Sequence, residues 1–118
     1  MGRNLRKIAI FASGSGSNCE NLILKTSQLP DVEVSVVITD NPSAFVIDRC
    51  KNLETEVVVL SDFLDKSISL KKRKENFENK ALETLKLHGV NWVYLAGFMR
   101  ILSLDFLKNF PSPHKKLF

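Results

Sequence analysis

At 118 residues, with 44% hydrophobic and 25% charged side chains, the chain is sized and composed for one globular domain and lies outside disordered and fibrous compositions. A net charge of +4 suits small anionic substrates. The basic residues are dispersed apart from Lys71-Lys72-Arg73-Lys74 and Lys115-Lys116, which read as solvated surface; with no zinc-finger spacing or interleaved aromatics, no nucleic-acid partner is expected.

The start, Met1-Gly2-Arg3-Asn4-Leu5-Arg6-Lys7, is basic and precedes the apolar run Ile8-Ala9-Ile10-Phe11-Ala12. That run is too short for a signal peptide and breaks into Ser-Gly repeats, so it reads as a strand buried on both faces. No segment is long enough to span a membrane. After the turn Ser13-Gly14-Ser15-Gly16-Ser17, the spacing of Cys19, Leu22, Ile23 and Thr26 predicts a helix over 18–28, stopped before Pro30. Val34, Val36, Val37 and Ile38 mark a second strand over 32–39. Asn41-Pro42 then reads as an N-cap followed by proline at the first helical position, with Phe45, Val46, Ile47 and Cys50 packing beneath the sheet.

Val57-Val58-Val59 centres a third strand over 56–60, and 61–69 reads as a polar connection. A third helix is predicted over 70–88, with Phe77, Ala81, Leu82 and Leu85 as its buried stripe and Gly89 as its stop. His88 at its end suits capping of the last carbonyls. A fourth strand is predicted over 91–97, and Phe98-Met99-Arg100-Ile101-Leu102 leaves its carboxyl end. Cys19 and Cys50 fall on the apolar faces of separate helices, which suggests neither a disulfide framework nor a metal site and fits a reducing cytoplasm.

Strand and helix therefore alternate through four strands and three helices, the pattern of a Rossmann-like α/β fold with a mostly parallel four-stranded sheet and helices on both faces. With strand order 3-2-1-4, the winding reverses between strands one and four, and ligands bind outside the carboxyl ends at that point. The Gly-Ser turn and segment 98–102 would both hang over the same crevice. Glycines let the turn bend tightly, while a helix start presents unpaired N–H groups to an anion such as phosphate. The alternative is a tight turn with no ligand.

Gly14-Ser15-Gly16-Ser17-Asn18-Cys19 approximates a dinucleotide fingerprint, with Asp40 available for a ribose hydroxyl, but Cys19 stands where the third glycine belongs. A Walker A loop is excluded because no Gly-Lys-Ser or Gly-Lys-Thr follows. Ser13, Ser15 and Ser17 lack a candidate base, and no cluster has metal-ligand spacing.

The motifs Ser13-Gly14-Ser15-Gly16-Ser17-Asn18, Asp40-Asn41-Pro42-Ser43-Ala44-Phe45 and Leu95-Ala96-Gly97-Phe98-Met99-Arg100-Ile101-Leu102-Ser103 resemble, in order and spacing, the phosphoribosylglycinamide formyltransferases. The third motif is highly specific; the Gly-Ser turn alone is not. The resemblance implies that Gly16, Ser17 and Asn18 bind the phosphate of glycinamide ribonucleotide. It implies that Met99, Arg100, Ile101 and Leu102 line the pocket for the formyl donor 10-formyltetrahydrofolate, with Phe98 nearby. A family arginine that helps with folate aligns with Lys74. Ordinary core packing is the alternative for Phe98, Met99, Ile101 and Leu102, and a surface ion pair for Arg100.

By the same resemblance, residues 1–110 correspond to the phosphate-binding N-terminal part of the family fold, and 111–118 form a divergent tail. The family's catalytic Asn-Ile-His-Pro-Ser motif and later aspartate have no counterpart, and His114 does not match. The fold is thus expected to be truncated, with an open sheet edge, exposed apolar surface and little or no transformylase activity. A phosphoribosyl-binding module and part of a formyltetrahydrofolate deformylase are the other readings.

Overall fold

The first strand, β1 (Arg6–Phe11), sends alternate side chains into two different cores, and that alternation sets the layering. The computed structural model describes residues 5–110 together with the backbone of Lys116 and Leu117. On one face, Ile8, Ile10 and Ala12 pack with Cys19 and Ile23 of α1 (Ser17–Thr26) and with Val46 and Cys50 of α2 (Val46–Asn52). On the other, Ala9 and Phe11 pack with Phe77, Ala81 and Leu85 of α3 (Leu70–Leu87). Burial on both sides explains why β1 is an unbroken apolar run.

The remaining strands are β2 (Val32–Thr39), β3 (Val57–Val59), β4 (Trp92–Leu95) and the two-residue β5 (Lys116–Leu117). Their order is β3-β2-β1-β4-β5, and every pairing is parallel. The expected Rossmann-like sheet in the order 3-2-1-4 is therefore present. β5 extends it within the stretch expected to be a divergent tail; His114 and Lys115 lie outside the described residues. Phe11 pairs with Ile38 on one side and Leu95 on the other, so three strands finish level. That common end is where the loops meet.

Several boundaries differ from the sequence expectation. The second helix starts at Val46 rather than at Pro42. Asn41 does cap, but its side chain accepts from Ser43 N–H at 2.9 Å and closes a local turn, with Ala44 N–H bonded to the Asn41 carbonyl. The helix begins only where Val46 N–H reaches the Gly14 carbonyl at 3.2 Å. The polar connection 61–69 contains a 3₁₀ turn, Asp62–Leu64, which buries Phe63 against Phe77 at 5.1 Å between ring centroids. β4 is shorter than expected because Gly97, at φ 75°, turns the chain out of the sheet.

A short helix that the periodicity did not show, α4 (Leu104–Leu107), follows the turn-out and is capped by the Ser103 side chain. Among the described residues, no helix is long and apolar enough to cross a membrane.

Candidate functional site

The Gly-Ser turn is held from behind by α2. Gly16 caps α1 at φ 79°, and a Cβ there would stand 2.5 Å from Val46 Cγ2, so only glycine fits. Arg49 donates from Nε to the Ser15 carbonyl at 2.7 Å and from Nη1 to Glu20 Oε1 at 2.5 Å, with its guanidinium 4.9 Å from the Phe45 ring centroid. Among the described residues, no side chain caps α1. Its first-turn N–H groups and positive dipole end are therefore available to an anion at Ser17 and Asn18, which are exposed while Gly16 is buried. Asn18 also lines a cleft of about 400 Å³ with Asn21, Lys25, Tyr94 and Gly97.

Across the crevice, segment 98–102 has no regular structure of its own and is pinned by its neighbours. Phe98 turns inward, stacked on Phe77 at 5.7 Å and edge-on to Phe11 at 5.4 Å. Met99 donates its backbone N–H to the Ser13 hydroxyl at 2.8 Å. Arg100 donates from Nε to Asp40 Oδ2 at 2.8 Å and lies 4.4 Å from the Phe63 ring centroid. The ion pair weighed for Arg100 is thus formed with a buried carboxylate rather than a surface one. Leu102 packs against the core, whereas Met99 and Ile101 are 77% and 83% exposed. Ser13, Asp40, Asn41, Leu64, Met99 and Arg100 surround a second cleft of about 320 Å³.

Lys74 sits on α3 beside Lys71, Glu78, Ser103 and Asp105 around a third cleft of about 370 Å³. The structure thus places Asn18 at one cleft beside Gly97, Met99 and Arg100 at a second beside Ser13, and Lys74 at a third beside Ser103, while Gly16, Ser17, Ile101 and Leu102 line none of these three.

Three contributors escaped the sequence reading. Arg49 lies on another unit of the fold, and no local pattern ties it to the turn. Ser13, which the sequence shows only as part of the turn, is buried and accepts from Met99 N–H. Glu78 is 7% exposed and accepts from Ser103 N–H and hydroxyl. Its spacing from Ala81 and Leu85 was a usable signal, since i, i+3, i+7 places a carboxylate on the buried stripe.

Cys19 and Cys50 are both fully buried free thiols that meet between α1 and α2. The hydrogen bond to Cys50, aided by burial, pushes the Cys19 thiol far up and keeps it protonated. His88 caps α3 as expected, with Nδ1 2.9 Å from the Thr84 carbonyl, and its Nε2 is 2.9 Å from Glu56 Oε2.

The family profile described as formyl transferase matches residues 6–115. The chain is 33% identical over 99 residues to a phosphoribosylglycinamide formyltransferase of Bacillus subtilis, covering 83% of this chain and 48% of that protein. The crystal structure of the phosphoribosylglycinamide formyltransferase from Bacillus halodurans superposes with TM-score 0.75 at 36% identity, covering 95% of this chain and 54% of that one. The corresponding Campylobacter jejuni structure gives TM-score 0.76 at 33% identity, covering 89% and 54%. The chain thus spans about half the length of the relatives it matches. With the profile covering nearly all of it, this chain belongs to the formyl transferase family.

Proposed function

We propose that the chain is the substrate-binding part of a cytoplasmic phosphoribosylglycinamide formyltransferase of purine biosynthesis, taking glycinamide ribonucleotide at the Gly-Ser turn and 10-formyltetrahydrofolate against segment 99–102. The observation that carries it is the 2.8 Å hydrogen bond from Met99 N–H to Ser13 Oγ, which joins the anion cradle to the apolar wall. The phosphate is received by the first-turn N–H groups of α1 at Ser17 and Asn18, and Gly16 lets the backbone approach.

The residues fit a folate. A flat heteroaromatic ring matches the exposed Met99 and Ile101, and an anionic tail would meet Lys74 and Lys71, which share the neighbouring cleft with Glu75, Glu78 and Asp105. Arg100 contributes through its backbone, since its side chain is engaged by Asp40 and Phe63. Bound, the donor supplies a formyl carbon for attack by the substrate amine. The 118 residues contain no Asn-Ile-His-Pro-Ser motif to stabilise the oxyanion, so the chain by itself binds without turning over.

Calorimetric titration tests this. Glycinamide ribonucleotide should bind, inorganic phosphate should compete, and Asn18→Asp should abolish binding by opposing the phosphate charge. A folded chain that binds no glycinamide ribonucleotide overturns the proposal. So does turnover with both substrates, for the part that denies it.

A further inference from the structure

We propose that Glu78 is a positioning residue that holds segment 99–102 in the shape that receives the formyl donor; the donor's identity rests on the function proposed above. The segment has no helix or strand bonds of its own, and its Met99 and Ile101 side chains are largely exposed, so hydrophobic burial holds it only through Phe98 and Leu102. Polar contacts must do the rest. At the leading end, Ser13 Oγ accepts from Met99 N–H at 2.8 Å, and Asp40 holds the Arg100 side chain.

At the trailing end, Glu78 takes both donors of one residue. Its Oε2 accepts from Ser103 N–H at 2.7 Å, and its Oε1 accepts from the Ser103 hydroxyl at 2.5 Å. The same hydroxyl accepts from Phe106 N–H at 3.2 Å, so the Glu78 carboxylate also orients the cap of α4. A carboxylate that is 7% exposed, on a face shared with Ala81 and Leu85, is costly to bury unless hydrogen-bonded. An apolar residue would serve the core at least as well. What only the carboxylate supplies is a grip on both donors of Ser103, its backbone N–H and its hydroxyl, where the chain leaves segment 99–102. Lys74, one helical turn earlier on α3, lines the same cleft as Glu78 and Ser103, so the grip also sets the distance between that lysine and the segment.

The test compares the wild-type chain with Glu78→Met, which keeps the length and the packing but removes both acceptors, and with Glu78→Gln, which keeps one. Amide hydrogen exchange is read at Met99, Ile101 and Ser103, with Ile10 of β1 and Ile23 of α1 as controls. Exchange in the segment should rise about tenfold in Glu78→Met, less in Glu78→Gln, with the controls unchanged. In parallel, the Kd for 10-formyltetrahydrofolate should rise about tenfold while that for glycinamide ribonucleotide stays within about twofold.

Unchanged exchange in the segment overturns the positioning role. Faster exchange at the controls as well makes Glu78 a general stability residue and overturns it too. If Glu78→Met does not fold, Glu78→Gln decides by the same readout. A wild-type chain that binds no 10-formyltetrahydrofolate overturns the donor assignment, whereas the exchange result still decides whether Glu78 positions the segment.

Discussion

A Cβ placed on Gly16 would come within 2.8 Å of the Val46 Cα, a backbone atom that cannot yield without shifting the start of α2. The Gly-Ser turn and the second helix are therefore locked to each other. Gly16→Ala should destabilise the fold by about 2–4 kcal/mol, combining the left-handed backbone with the overpacking. Urea unfolding of wild type and variant, compared at equal slope, measures it; a loss below about 0.5 kcal/mol contradicts the lock.

Arg49 supports the same turn through a carbonyl and a carboxylate, and lysine cannot make both bonds in that geometry. Arg49→Lys should weaken glycinamide ribonucleotide binding several-fold and cost about 1 kcal/mol of stability. Titration calorimetry with thermal unfolding gives both numbers. Binding at wild-type strength would mean that the turn holds its shape without Arg49.

The two thiols offer a probe of the α1–α2 contact. Because Cys19 and Cys50 are fully buried and Cys19 is held protonated by its bond to Cys50, an aryl disulfide reagent should label neither quickly in native buffer and both quickly in denaturant. The absorbance time course reports this. Rapid labelling under native conditions would show that the helices open easily.

His88 makes the fold mildly pH-dependent. Its bond to the Thr84 carbonyl, opposed by partial burial and helped by Glu56, raises its pKa above the ordinary 6.5. The stabilisation is fully present below that ordinary value and is lost as pH rises through the higher folded value. The difference in thermal midpoint between wild type and His88→Gln should therefore shrink from about pH 6 to about pH 9. A difference that is flat or grows with pH contradicts the assignment.

The exposed Met99, Ile101 and Leu104 side chains give a testable surface. Ile101→Ser should raise both the Kd for 10-formyltetrahydrofolate, about tenfold, and the Kd for self-association, making the chain less prone to associate. Sedimentation and titration of the same samples separate the two effects, and an unchanged donor affinity would exclude Ile101 from the pocket.

Much of the architecture was legible in the chain itself. The β-branched runs and their alternation with helical spacings determine a parallel sheet, because strands buried on both faces must be apolar throughout. Gly16 and the motif at 95–103 fall, as the alternation implied, at the carboxyl ends of the neighbouring strands β1 and β4. Tertiary structure alone decided how that crevice is held together. The contacts from Ser13 to Met99, Asp40 to Arg100, Arg49 to Ser15 and Glu78 to Ser103 join residues 25 to 86 positions apart, beyond the reach of any local periodicity. The start of α2 shows the same limit. Asn41-Pro42 carries a sound local capping signal, yet the helix begins where Val46 meets Gly14, because backbone groups take the partners that the packed fold brings to them.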